Sequence, residues 1–324
     1  MLLTVNRILN RMMPLITPLS VLIGVLCGSA LSSYTSLTPW LFAFMTFTGS
    51  ISLGFKDFLN VLKNPLPLFI CIFILHIAMP LVALGFGNAL YSSDEYTITG
   101  LVLAAVIPTG ISSFIWVSIY KGNTALTLSI ILIDTLLAPF VVPGVLSLLI
   151  GTSVELDTWA MMSSLFWMIV VPSLLGMVLN EWSKGKVAPK WSPRLNPFSK
   201  LFMAVVIMIN GSVISPYLTD INLQLVGLAV VIVTMAASGY ALCFLTARIL
   251  RWNEADEVAL LFNGGMRNIS AGAVLAVSYF PPPVAVPVVL GMVFQQLLAS
   301  IVGFLLGTRS RNKKIAGESS INQT

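Results

Sequence analysis

Charged side chains are scarce in this sequence. Only 9% of the 324 residues are Asp, Glu, Lys or Arg, whereas 57% are hydrophobic, and the mean hydropathy is +0.96. A soluble protein carries roughly 25% charged residues, because its surface faces water. The composition therefore excludes a soluble enzyme, a soluble nucleic-acid-binding protein and a disordered linker. It predicts an all-α protein that crosses a membrane many times and has lipid as a partner.

Histidine and cysteine are also rare. A single histidine, His76, cannot build a histidine zinc site, and Cys27, Cys71 and Cys243 fall within apolar segments without CxxC spacing. No GxxxxGK[ST] motif for nucleotide phosphates occurs. We therefore expect no cofactor, no nucleic acid and no ATP, so that any energy used comes from an ion or substrate gradient.

Ten apolar runs fill the chain. Each is close to the roughly 20 residues that a transmembrane helix needs. The N-terminal run follows Arg7 and Arg11 but has no small-x-small cleavage site, so we expect an uncleaved first helix. The runs lie at about 14–31, 38–54, 65–90, 98–119, 124–150, 159–181, 198–216, 222–247, 255–278 and 283–307.

The basic residues support this count. If the N-terminus is cytoplasmic, every lysine and arginine except Arg267 falls in a cytoplasmic segment, including Lys56 and Lys63. The external loops carry acidic residues instead: Asp94, Glu95, Glu155, Asp157 and Asp220. Because positive charge marks the cytoplasmic side, we expect a multi-pass protein of the cell membrane with both termini cytoplasmic.

Two interrupted spans occupy corresponding places in the chain. We expect the ten spans to form one transmembrane transporter domain, 1–324, that divides near Gly151 into repeats of about 1–151 and 152–324. Because each repeat has an odd number of spans, five, the second repeat enters the membrane inverted relative to the first. Span four is broken at 107–110 (Ile-Pro-Thr-Gly) and span nine at 263–268 (Asn-Gly-Gly-Met-Arg-Asn). Matching breaks of this kind indicate a transport site.

Four short motifs, in this order, resemble those of the bile acid:sodium symporter family, and the likeness covers nearly the whole chain. The segment 55–58 (Phe-Lys-Asp-Phe) resembles the family's amphipathic link after span two. Pro108-Thr109-Gly110 with Ser112-Ser113 is similar to its PGG-x-x-SN break. The segment 121–126 is similar to its RGN-x-AL turn, and 265–268 (Gly-Met-Arg-Asn) to its GMQN motif.

The resemblance implies an architecture and an activity. Spans three to five and eight to ten would form a core in which the broken helices four and nine cross. Spans one, two, six and seven would form a panel. A small organic anion, such as a bile salt in animals or a smaller carboxylate in bacteria, would bind between them and be carried by alternating access.

The sodium sites implied by the resemblance are altered. Ser113 and Thr127 are retained, but Phe114 and Ile131 replace polar ligands. Asn263 stands where the family has a bridging Glu. Arg267 replaces the Gln of GMQN, and Leu75 or His76 replaces a Gln of span three, although backbone oxygens such as that of Met266 remain. Since a cation is repelled by a fixed cation, we expect transport that is independent of sodium or coupled to protons.

Three ionisable side chains lie within the spans, namely His76, Asp134 and Arg267. Such residues face a cavity or a partner. Arg267 could bind the substrate anion, and Asp134 or His76 could carry a proton, or Asp134 and Arg267 could form a structural ion pair. The residues predicted to bind substrate are Arg267, Asn268, Asn263, Thr109, Ser112, Ser113 and Gln295, and those predicted to couple an ion or proton are Asp134, His76, Thr127 and Met266.

Other classes fit the sequence less well. An intramembrane aspartyl protease needs two facing aspartates, and a serine hydrolase needs a GxSxG elbow that is absent, so we expect no enzyme. An arsenite carrier would need a cysteine in span four, which has none. A sodium-coupled symporter with unusual ligands and a transporter-like membrane sensor remain as alternatives, and saturable uptake would separate transport from sensing.

Overall fold

The computed structural model describes residues 2–54, 65–151, 157–218 and 222–321. The motif at 55–58 and the predicted loop residues Lys56, Lys63, Glu155 and Asp220 lie outside these ranges. Within them every regular element is helical and no strand occurs, as the composition predicts. The main helices are α1 (Leu2–Cys27), α2 (Thr38–Ser50), α3 (Leu66–Leu90), α4 (Glu95–Val106), α5 (Ser112–Ile119), α6 (Thr124–Ile150), α7 (Thr158–Trp182), α8 (Val187–Val213), α9 (Leu223–Ile249), α10 (Glu254–Gly265), α11 (Ile269–Tyr279) and α12 (Pro282–Ile321).

Six helices of the described chain are long and apolar enough to cross a membrane: α3, α6, α7, α8, α9 and the Pro282–Thr308 part of α12. Large apolar side chains face outward, as Leu148, Leu223 and Phe304 show with exposed fractions of 83%, 88% and 70%. A surface of this kind suits lipid, so the protein is a multi-pass membrane protein. The other four predicted spans correspond to the apolar Leu15–Cys27 part of α1, to the shorter helix α2, and to the divided pairs α4–α5 and α10–α11.

Both predicted breaks are present in the structure. Pro108 ends α4, because the residue before a proline is driven out of helical angles, and Ile107 is accordingly extended at φ −60° and ψ 141°. The chain becomes helical again at Ser112. In the second half α10 ends at Gly265, Met266 is extended at φ −110° and ψ 135°, and α11 begins at Ile269. The second break is therefore shorter than the predicted 263–268.

The helices pack in two groups. In the first, α8 packs on α1 and α2, and α7 also packs on α2. In the second, α9 packs on α10 and α12, α4 on α3 and α12, and α10 on α5 and α6. Small residues allow close approach: a Cβ at Gly24 of α1 would collide with the carbonyl of Met208 in α8, and one at Gly100 of α4 with the carbonyl of Val284 in α12.

Candidate functional site

The two helix breaks lie against each other. The backbone N–H of Asn268 donates to the carbonyl of Pro108 at 2.8 Å, and a Cβ on Gly110 would lie 3.4 Å from the Arg267 carbonyl oxygen. A Cβ at 110 would therefore already be in contact with the second break. Segments that are far apart in the sequence form one site, and four half-helices begin or end there.

Arg267 lies at the centre of this contact and caps two helices. Its Nε donates to the carbonyl of Ala105 at 2.9 Å, and its Nη1 donates to the carbonyl of Gly264 at 2.8 Å. Both acceptors belong to the last turns of α4 and α10, where carbonyls have no partner within the helix. The Gln295 amide holds the Arg267 backbone, accepting from its N–H at 2.8 Å and donating to its carbonyl at 2.9 Å. Only 7% of Arg267 is exposed.

Arg267 and Asp134 do not form the predicted alternative ion pair. Within the described ranges, Arg267 has no carboxylate partner, and Asp134 pairs instead with His76. The Asp134 Oδ1 atom contacts His76 Nε2, and its Oδ2 atom accepts the backbone N–H of Thr109 at 2.6 Å. Asp134 therefore connects α3 and α6 to the first break, while the guanidinium of Arg267 is hydrogen-bonded to backbone carbonyls.

A local change in helix geometry positions His76. Residues Ile74–Ala78 form a π-helical turn inside α3, with the Met79 N–H bonded to the carbonyl of Ile74. Pro80 explains this turn, because its ring would clash with the carbonyl four residues earlier and it has no N–H to donate. That carbonyl belongs to His76. Turns of this kind are frequent at functional sites, and this one presents the imidazole to α6.

A second polar cluster is made of Ser113, Asn263 and Thr127, all fully buried. The Asn263 Nδ2 atom donates to Thr127 Oγ1 at 3.0 Å and to the carbonyl of Ala259 at 2.8 Å. Its Oδ1 atom lies 3.0 Å from Ser113 Oγ, whose single O–H donates either to it or to the Gly110 carbonyl at 2.8 Å. These residues occupy positions of the implied first sodium site. Both N–H groups of the Asn263 amide are used within the protein, and an amide N–H is a donor, whereas a cation needs oxygen ligands.

The other predicted residues surround these groups. Phe114 of α5 is partly buried and Ile131 of α6 is buried. Neither side chain has an oxygen atom that could be a ligand. Met266 is buried at the second break. Ser112 and Asn268 are partly buried at the starts of α5 and α11.

Two features of the site are not signalled in the sequence. One is the pair of backbone carbonyls that Arg267 caps, because any residue type supplies a carbonyl. The other is a link between the turn at 121–126 and the start of α10. There the Asn123 N–H donates to the carbonyl of Ala255 at 2.8 Å, and Asn123 Nδ2 donates to Asp256 Oδ1 at 2.7 Å.

Apolar helices that face lipid, and two broken helices that meet at a buried cation, define a membrane transporter. Residues 47–311 match the model of the SBF-like CPA transporter family. The chain belongs to this family, and the resemblance to bile acid:sodium symporters is confirmed. Because this is a family of transporters, the prediction that the chain is no enzyme is also confirmed.

Curated proteins of similar sequence agree with this assignment. The chain is 51% identical to the uncharacterized protein YbaS of Bacillus subtilis, over 91% of this chain and 96% of that protein. It is 27% identical to the uncharacterized sodium-dependent transporter YocS of the same organism, over 89% of this chain and 90% of that one. It is also 27% identical to the probable sodium/metabolite cotransporter BASS1, chloroplastic, of Arabidopsis thaliana, over 88% of this chain and 71% of that one.

Proposed function

We propose that the chain is a secondary transporter of small organic anions that does not require sodium. The observation that carries the proposal is Arg267, a buried cation without a carboxylate partner in the described chain, placed where the two breaks meet. A buried charge is costly unless it is balanced. No carboxylate of the described residues contacts the guanidinium directly, and a bound anion would take that place.

The surroundings of Arg267 favour an anion. Of the five N–H donors of a guanidinium, described residues accept two, so the others are available to a carboxylate or sulfonate. The helices α5 and α11 both begin at the breaks, and helix N-termini carry partial positive charge. A fork of donors beside two helix N-termini suits a planar, negatively charged group.

The residues at the two implied sodium sites argue against a sodium requirement. Three positions of the implied first sodium site hold Phe114, Ile131 and an Asn263 amide whose N–H groups are hydrogen-bonded within the protein. Arg267 brings its own positive charge to the second. We infer that this tethered cation takes the place of a bound sodium ion beside the substrate anion.

The two packing groups support the finer architecture. We propose ten membrane spans in two inverted repeats, with both termini cytoplasmic in the cell membrane. The group of α3–α6 and α9–α12 would be the core, and the group of α1, α2, α7 and α8 the panel. Contacts between the groups, such as α8 on α11 and α6 on α7, would change as one group rocks on the other.

A sodium-coupled symporter is the second candidate, and the names of the relatives YocS and BASS1 favour it. Thermal unfolding of the purified protein in about 100 mM sodium or potassium separates the two. A site with a dissociation constant of about 1–10 mM would stabilise the protein by about 1.4–2.7 kcal/mol in that sodium. We expect equal unfolding temperatures in the two salts, and a sodium-specific increase would overturn sodium independence.

Substitution of Arg267 tests the anion site itself. The probes are pyruvate, succinate and taurocholate, assayed by thermal stabilisation and by saturable uptake into proteoliposomes. We expect at least one of them to stabilise and enter wild type, and Arg267→Gln to lose roughly 100-fold or more in uptake because it removes about 3 kcal/mol of charge-assisted bonding.

Two further variants distinguish binding from capping. Arg267→Lys keeps the charge and should retain part of the uptake, whereas a purely structural cap would be served equally well by Gln and Lys. Arg194→Gln, an exposed arginine in α8, makes the same chemical change and should behave as wild type. Unchanged uptake in inserted Arg267→Gln protein would remove Arg267 from the anion site.

A further inference from the structure

The His76–Asp134 pair is a buried ionisable group that anion binding by Arg267 does not use. His76 is 3% exposed and Asp134 is fully buried. The pair joins α3 to α6 beside the first break. Ionisable residues inside a membrane bundle mark ion or proton pathways, and a simple structural tie between two helices would not need two groups that can titrate.

The contact with Asp134 defines where a proton would bind. With the carboxylate beside Nε2, this nitrogen is assigned as the N–H that donates, so in a neutral imidazole Nδ1 is the acceptor. That Nδ1 atom is buried and has no hydrogen-bond partner in the part of the chain that the structure describes. It is therefore free to take up a proton while the Nε2–H bond to Asp134 is kept.

The pair is connected directly to the first break. The second carboxylate oxygen of Asp134 accepts the Thr109 N–H at 2.6 Å, a short bond of the kind that charge strengthens. A proton on the pair reduces the negative charge available to this bond. The charge of the pair is thus transmitted to the unwound backbone that meets Asn268 and Arg267.

The net charge around the pair follows from the ionisable groups of the neighbouring helices. Cys71 of α3 and Arg267 interact electrostatically with Asp134, and Cys243 and Tyr240 of α9 interact with Arg267. Thiols and phenols are neutral in their protonated forms, so Arg267 is the fixed charge of this group. With the pair singly negative the whole group is neutral, and with one added proton it carries one positive charge.

We propose that the His76–Asp134 pair binds a coupling proton and that this proton and an organic anion are carried together. The inference rests on the proposed function of Arg267. Without the proton, Asp134 offsets the charge of Arg267 and opposes an anion. With the proton on His76, the positive charge is left for the anion, and the loaded site is neutral. The coupling is reciprocal, so each ligand strengthens the other by roughly 5–150-fold.

The proton site can be tested without a substrate, because His76 is the only histidine in the sequence. Protein with ¹⁵N-labelled histidine and no histidine tag, in nanodiscs and potassium buffer, gives the signal of one imidazole. We expect this signal to change with pH, and the change to be lost or displaced in Asp134→Asn. Glu95→Gln, an exposed carboxylate at the start of α4, is the matched control and should titrate as wild type.

The coupling is tested by uptake of pyruvate, succinate and taurocholate into sodium-free proteoliposomes. We expect an inward proton gradient to accelerate uptake about 5-fold or more in wild type, and not in His76→Gln or Asp134→Asn. An imidazole signal that is constant with pH, or a titration identical in Asp134→Asn, overturns the proton site. Anion uptake that depends on Arg267 but does not respond to the gradient overturns the coupling alone. A titrating His76 with no anion uptake overturns the proposed function, and with it the coupling, but leaves the proton site in place.

Discussion

Two buried polar clusters flank the helix breaks, and they differ in how completely they are satisfied. Ser113, Asn263 and Thr127 form a neutral cluster in which both N–H groups of the Asn263 amide are used and its oxygen lies 3.0 Å from the Ser113 hydroxyl. The other cluster is the ionisable pair of His76 and Asp134, whose Nδ1 atom has no partner among the described residues.

The difference separates a fixed element from one that can change state. The neutral cluster has no group that binds a proton, and it would have to lose hydrogen bonds to bind a cation. The His76–Asp134 pair has an Nδ1 atom without a partner among the described residues, and its net charge changes when it binds one proton. The neutral cluster joins α5, α6 and α10, and the His76–Asp134 pair joins α3 and α6 to the first break. A contact that cannot titrate and one that can therefore both lie beside the breaks that meet at Arg267.

The largest expected change in stability should come from placing a charge in the neutral cluster. Asn263→Asp removes the N–H groups that point to Thr127 and Ala259 and adds a buried carboxylate. In potassium we expect a loss of about 3–5 kcal/mol of stability, the cost of an uncompensated buried charge. In about 100 mM sodium we expect recovery of about 1.4 kcal/mol, if the new site binds with a dissociation constant near 10 mM.

Thermal unfolding in the two salts measures this effect. Asn222→Asp is the matched control, because Asn222 is exposed and accepts from the Leu225 N–H at 2.8 Å as the cap of α9, a role that Asp serves equally well. It should show neither the loss nor the sodium effect. Identical behaviour of Asn263→Asp in sodium and potassium would show that the cluster cannot be converted to a cation site by charge alone.

The sequence predicts much of this arrangement, for physical reasons. Composition requires a helical membrane protein, and Pro108 requires an interruption in span four, since a proline restricts the residue before it. The second break is predicted by its glycines but is placed too broadly, at 263–268 instead of 266–268. Glycine permits an interruption without fixing its position, so the actual end of α10 depends on tertiary contacts.

The sequence does not determine which charged side chains pair. It leaves Asp134 with two alternatives, an ion pair with Arg267 or a role in carrying a proton, because the choice depends on which helix faces pack against Asp134. The π-turn that presents His76 follows from Pro80, yet its direction toward α6 depends on packing. The partners of Arg267 are backbone carbonyls, which leave no trace in residue type.

A smaller effect should come from removing one bond of the neutral cluster. Ser113→Ala removes the hydroxyl that lies within hydrogen-bond distance of Asn263 Oδ1 and of the Gly110 carbonyl. A buried acceptor left without a donor costs about 1–3 kcal/mol. We expect lower thermal stability with an unchanged pH profile of uptake, because no titratable group is altered. Ser118→Ala, an exposed serine of the same helix α5, controls for helix propensity, and a changed pH profile in Ser113→Ala alone would make the neutral cluster part of the proton response.

The smallest effect expected is that of Thr127→Val. The substitution keeps the branched shape and removes an oxygen that accepts from Asn263 Nδ2 at 3.0 Å and donates to the Asn123 carbonyl at 3.0 Å. Asn263 keeps its bond to Ala259, so we expect a loss of about 1 kcal/mol, measured by thermal unfolding. Thr234→Val removes the same kind of back-bond at an exposed site in α9 and should cost less. Equal costs would mean that the hydroxyl of Thr127 contributes no more than an exposed one, and the neutral cluster would then be held by Ser113 and Asn263 alone.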